Sequence, residues 1–81
     1  MKLYINGQER VFDDLDSDPY LAHLVDLLSM KADRIAIERN GEIVPRTQWQ
    51  SVSLAANDRL EIVQFVGGGN SISVFRRADL L

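Results

Sequence analysis

The sequence predicts an α+β fold in which a mixed β-sheet carries one main helix packed across one face. Three observations predict it. Two hairpin signals, Asn6-Gly7 and Asn40-Gly41, each sit between alternating apolar and polar residues. Between them lies a single helical stripe, Leu21, Leu24, Val25 and Leu28, at i, i+3, i+4 and i+7. Residues 59–66 then form a long apolar alternation ahead of three consecutive glycines. An 81-residue chain with 46% hydrophobic residues holds one small domain with one core, and burying only about 60–65% of its unfolded surface leaves little room for a deep catalytic cleft.

Taken in order, residues 2–5 alternate as a half-buried strand, with Leu3 and Ile5 on one face and Lys2 and Tyr4 on the other. After the Asn6-Gly7 turn the return strand falls at residues 9–12, with either Val11 or Phe12 inward. The acidic run Asp13-Asp14-Leu15-Asp16-Ser17-Asp18 ending in Pro19 reads as a helix start, with Asp18 as N-cap and Pro19 in the first turn. The helix is expected over residues 19–29 or 30. A second alternating segment, residues 34–39, places Ile35 and Ile37 inward, and a short strand at residues 42–44 stops at Pro45, which cannot donate to a ladder. Residues 46–49 read as a turn or short helical piece with Trp49 as a half-buried lid. In the final strand Leu60 and Ile62 share one face, and Glu61, Val63 and Phe65 the other. Because the helix separates the first strand from the last, the economical closure is a β-grasp arrangement.

Composition narrows the function. With no cysteine there is no disulfide scaffold, thiolate metal site or cysteine nucleophile. Nine basic against twelve acidic residues, formal net charge -3, argue against a nucleic-acid surface. The start, Met1-Lys2-Leu3-Tyr4-Ile5, runs straight into a strand pattern and no segment is apolar enough to span a membrane, so the expected location is the cytoplasm. His23, the sole histidine, reads as a solvated helix residue rather than a catalytic base. The acidic run lacks the spacing and interior glycine of a calcium loop, so no metal site is expected. No bound cofactor and no enzymatic activity of the chain's own are expected, for want of paired catalytic groups.

Gly67-Gly68-Gly69 is the feature with a chemical reading. A triglycine is most often a flexible linker. Its alternative is a slender tail without Cβ atoms, able to lie extended in a narrow channel of another protein and present a carboxylate there. The segment Glu42-Ile43-Val44-Pro45-Arg46-Thr47-Gln48-Trp49, with Asn57-Asp58-Arg59-Leu60-Glu61-Ile62-Val63-Gln64-Phe65-Val66-Gly67-Gly68-Gly69 after a short gap, resembles the sulfur carrier family of thiamine biosynthesis, ThiS, over residues 1–69. The resemblance implies a ubiquitin-like β-grasp carrier. Its terminal glycine carboxylate would be adenylated with ATP by a ThiF-type enzyme and converted to a thiocarboxylate, using a sulfur donor protein. The sulfur would pass to thiazole synthase, ThiG. By position Gly69 carries the sulfur and Gly68 adjoins it. Val63, Phe65, Val66 and Gly67 form the candidate partner-binding segment, with Arg39, Arg46 and Arg59 as candidate rim contacts.

The organisation is thus a β-grasp domain at 1–66, a glycine tail at 67–69 and an extension at 70–81. Family members end at the glycines, whereas here twelve residues follow Gly69. Carrier chemistry therefore requires a cut after Gly69, since an amide carbonyl is not a substrate for adenylation. The extension reads as a removable pro-segment, an appended tail, or the mark of a relative without sulfur transfer. Its Ile72, Val74 and Phe75 suit a strand pairing with a sheet edge, in the same chain or in a dimer. For Phe65 two readings stand: docking to a partner, or packing against the extension or Trp49. Two other functions remain in view, a β-grasp carrier for another pathway (molybdopterin type or protein modifier) and a non-carrier binding module.

Overall fold

The computed structural model describes residues 1–66 and the backbone at 73–74. Strands β1 (Lys2–Ile5), β2 (Gln8–Val11), β3 (Ile35–Arg39), β4 (Glu42–Ile43), β5 (Arg59–Val66) and β6 (Ser73–Val74) accompany one α-helix, α1 (Leu21–Leu27). The sheet runs β2-β1-β5-β3-β4, with β6 added onto β5. β1 and β5 are parallel and the remaining pairs antiparallel, the mixed sheet expected from the position of the helix between the first and last strands. The fold is the β-grasp.

Both hairpins turn as their Asn-Gly pairs dictate. Asn6 and Asn40 each have φ 51°, and Gly7 and Gly41 have φ 82° and 90°, the two positive-φ residues that a two-residue turn matched to strand twist demands. The register of the first hairpin places β2 at residues 8–11, one position earlier than expected, because Leu3 pairs with Arg10 and Lys2 with Val11. This settles the orientation: Val11 is exposed and Phe12 packs, partly buried, against the core.

The helix is shorter than the sequence implies, and its start differs in kind. Asp18 is not the N-cap; Tyr20 is, with extended dihedrals and no side-chain cap. Pro19 and Tyr20 are held in extended pairing instead, through Leu54 N–H to Pro19 C=O at 2.7 Å and a bridge from Tyr20 to Ser53. Two of the first-turn N–H groups that lack intrahelical partners are met by backbone: Leu21 donates to Val52 C=O and Ala22 to Trp49 C=O, each at 3.0 Å. The acidic run forms a 3₁₀ helix, Asp13–Asp16, which buries Leu15. At the other end Ser29 adopts φ 58°. Ser29 N–H then bonds Asp26 C=O and Met30 N–H bonds Val25 C=O, a Schellman closure with serine where glycine is usual.

One face of the sheet and the helix enclose the core of Leu3, Ile5, Leu15, Leu21, Leu24, Val25, Ile35, Ile37, Trp49, Leu54, Leu60 and Ile62. Leu28, the fourth member of the helical stripe, is only half-buried because the helix ends before it. Trp49 is no half-exposed lid. It is 4% exposed, and its indole Nε1–H donates to Val44 C=O at 2.9 Å, which lets a polar tip enter the core satisfied. Among the described residues, no helix is long and apolar enough to cross a membrane.

Candidate functional site

The candidate site is the distal part of β5, whose start the fold fixes firmly. The start is fixed by a buried carboxylate. Asp58, 7% exposed, accepts from Ala55 N–H at 2.9 Å, from Asn40 Nδ2 at 3.1 Å and from Arg39 Nε at 2.8 Å. Asn40 Oδ1 in turn accepts Arg59 N–H at 2.9 Å. Burial alone would raise the Asp58 pKa, but the Ala55, Asn40 and Arg39 hydrogen bonds and the guanidinium charge together hold it below the usual carboxylate value. Arg39 is therefore engaged in an ion pair with Asp58, its side chain remaining 30% exposed.

On the β1 side the ladder continues through a side chain. β1 pairs with β5 only at Tyr4 with Arg59 and Ile5 with Leu60. Beyond that, the Asn6 carboxamide accepts from Ile62 N–H at 2.8 Å and donates to Ile62 C=O at 3.2 Å. On the other side β3 stays in register as far as Ile35 with Gln64. Phe65 and Val66 extend past both neighbours, and among the described residues their strand partners are Val74 and Ser73 of β6.

Cross-strand register sorts the side chains as the alternation implies. Leu60 and Ile62 are buried toward the helix. Val63 lies opposite Ala36, Glu61 opposite Glu38, and Ile43 opposite Glu38 on the outer face, away from the core. Val63 and Phe65 are half-buried, and Ile43 and Val11 on the same face are 72% and 62% exposed. Tyr4, also outward, has the Arg59 guanidinium and the Lys2 ammonium each 5.8 Å from its ring centroid. The outer sheet face thus carries Val63 and Phe65 on its central strand and Val11 and Ile43 on its two edges, with Lys2, Arg59, Glu61 and Glu38 set between them. Phe65 lies across the sheet from the face that buries Trp49, so packing against Trp49 is excluded; its cross-strand partner is Val74.

Gly67, Gly68 and Gly69 lie outside the described residues, as does the side chain of Val66. Ser73–Val74 pairs within the same chain with the end of the central strand β5 and not with an edge strand, and Ile72 and Phe75 lie outside the described residues. Sequence reasoning did not find the Asn6 bridge, since an Asn in an Asn-Gly turn is fully accounted for by its φ. His23 is less solvated than expected: its Nδ1 lies 2.9 Å from Asp18 C=O. Among the described residues no group of three or more metal-binding side chains converges.

The profile of the ThiS family matches residues 3–69. The chain is similar to the crystal structure of a thiamine biosynthesis protein (ThiS) from Geobacter metallireducens, with TM-score 0.70 and 26% identity, covering 85% of this chain and all of the other. It is 46% identical over 35 residues, 43% of this chain and 53% of the other, to the sulfur carrier protein ThiS of Bacillus subtilis (strain 168). It is 41% identical over 70 residues, 86% of its length, to a thiazole synthase of Paramagnetospirillum magneticum (strain ATCC 700264 / AMB-1), of which it spans 21%.

Proposed function

We infer the function of this chain from one premise: it belongs to the ThiS family of small sulfur carriers. We propose that, once the chain is cut after Gly69, the glycine carboxylate is the working group. A carboxylate oxygen attacks the α-phosphorus of ATP on a ThiF-type partner and pyrophosphate leaves. The outer sulfur of a persulfide on a donor protein then attacks the acyl carbon and AMP departs, leaving an acyl disulfide. A second thiol of the donor attacks the donor-side sulfur, so that the S–S bond breaks, the thiocarboxylate leaves and the donor ends as a disulfide. Thiazole synthase is the acceptor. The carrier supplies the handle and its partners supply the catalytic groups, so no cofactor is held by this chain.

The observation that carries the reading is the construction of β5: anchored at its start through Asp58, Asn40 and Asn6, and unpaired with the body of the sheet after Gln64. Such a strand projects a terminus away from a rigid base. Outward Val63 and Phe65 lie on the approach to that terminus, and a half-buried apolar pair beside a reactive end suits docking to the partners. Likeness over about a fifth of the length of proteins named thiazole synthase supports that enzyme as the acceptor, in preference to a molybdopterin-type pathway.

Complementation tests the pathway. A gene encoding residues 1–69 is expected to restore growth of a thiamine auxotroph lacking its own carrier, and the same chain without Gly69 is expected to fail. Rescue of molybdenum-cofactor deficiency instead of thiamine auxotrophy would overturn the assignment.

A further inference from the structure

The two Asn-Gly turns carry a reactivity that the carrier reading does not use. In such a pair the glycine nitrogen, which no side chain shields, gives up its proton and bonds Cγ of the asparagine. The side-chain nitrogen takes a proton and leaves as ammonia. Water then opens the cyclic imide to aspartate or to isoaspartate, whose backbone runs through one extra carbon. Attack requires the carboxamide to swing onto the glycine nitrogen, so whatever holds the carboxamide sets the rate.

Both carboxamides are held on β5, from opposite sides. Asn6 donates its N–H to Leu60 C=O at 2.9 Å and clasps both backbone groups of Ile62. Asn40 donates its N–H to Arg59 C=O at 2.7 Å, accepts from Arg59 N–H at 2.9 Å and donates through Nδ2 to Asp58 at 3.1 Å. The two clasps differ in what must open to release them. That of Asn6 rests on Leu60 and Ile62, which are 1% and 0% exposed, within a hairpin of four registered pairs. That of Asn40 rests on Arg59, the first residue of β5, and on Asp58 just before it. Its hairpin has two registered pairs and one further bond, Val44 N–H to Ile37 C=O. Asn40 and Gly41 are exposed, as are both residues of β4. Local opening is least costly where buried contacts are few. We propose that Asn40 is a self-modification site of the folded chain, converted through attack by the Gly41 nitrogen, whereas the core contacts of Asn6 shield the equivalent pair.

The modification acts on the anchor of β5. The Nδ2 that donated to Asp58 Oδ1 is replaced by an oxygen, so Asp58 loses a donor and faces a like charge. An isoaspartyl product also lengthens a two-residue turn whose strand register depends on its length. Either product weakens the start of β5 with time.

Peptide mapping tests this with no activating enzyme, so its outcome is independent of the carrier assignment. The chain is incubated in mildly alkaline buffer, folded and in parallel in urea, then digested with trypsin, which places the two pairs in separate peptides, residues 3–10 and 40–46. Mass and separation of the aspartyl and isoaspartyl forms give both rates from one sample. In urea, where only local sequence acts, the two sites are expected to react alike. In the folded chain Asn40 is expected to react at least about tenfold faster than Asn6. Equal folded rates, a faster Asn6, or an Asn40 that stays intact while the urea sample converts would overturn the proposal. Asn40→Asp, made outright, is expected to unfold at a lower urea concentration than wild type; an unchanged midpoint would contradict the weakened anchor.

Discussion

The Asn6 carboxamide engages both backbone groups of Ile62, accepting its N–H at 2.8 Å and donating to its C=O at 3.2 Å across 56 residues of sequence. Asn6 also adopts φ 51° to make its turn. One residue thus closes the first hairpin and extends the ladder along β5, where β1 itself has ended. Replacing it separates the two roles. Asn6→Ala loses the amide and strains the backbone, and is expected to cost about 2–3 kcal/mol in chemical denaturation. Asn6→Gly keeps the permitted φ and is expected to cost less, about 1–2 kcal/mol.

Asp58 sets the acid limit of the domain. Its carboxyl pKa is lower in the folded chain than in the unfolded one, near 3.8. The stability it contributes is therefore fully present above pH about 4 and is lost as pH falls through the folded value, because the unfolded state then binds the proton more readily. Asp58→Asn leaves Arg39 unpaired and loses one acceptor; a cost of about 2 kcal/mol at pH 7 is expected, shrinking below pH 4. Equal costs at pH 7 and pH 3 in paired urea titrations would show that the charge contributes nothing.

Val63 and Phe65 report on docking separately from folding. Both lie on the outer face and are half-buried, so Val63→Lys is expected to change stability by less than about 1.5 kcal/mol. Placed in an apolar interface, the same charge is expected to raise the KM of the activating enzyme for the trimmed carrier at least tenfold. Steady-state pyrophosphate release measures this; an unchanged KM would move the docking surface elsewhere.

Much of the fold is legible in the sequence because hairpins and alternation are local. Asn6-Gly7, Asn40-Gly41 and the alternation of residues 59–66 each carry their own geometry, and Leu3, Ile5, Ile35, Ile37, Leu60 and Ile62 are buried as that alternation requires. The helix start was not legible, since what satisfies Leu21 and Ala22 is the carbonyls of Val52 and Trp49, some thirty residues away. No local cap rule reaches that far, and the strong Asp18-Pro19 signal lost to tertiary pairing. The same holds for Arg39, whose exposed-looking position in an alternating strand conceals an ion pair with a turn residue. Of the candidate site, the outward placement of Val63 was readable from alternation alone, whereas the glycines announced themselves only by composition.

The central claim, that Gly69 bears the sulfur, is tested most directly by intact mass. Among the described residues the buried core lies within residues 3–62, so a chain ending at Gly69 keeps all of that core. Incubated with a ThiF-type enzyme, ATP and a sulfur source, that chain is expected to gain the mass of one oxygen-to-sulfur exchange, located by fragmentation at Gly69, while the 81-residue chain stays unchanged. No gain in the shorter chain, under conditions that convert an authentic ThiS, would contradict the account.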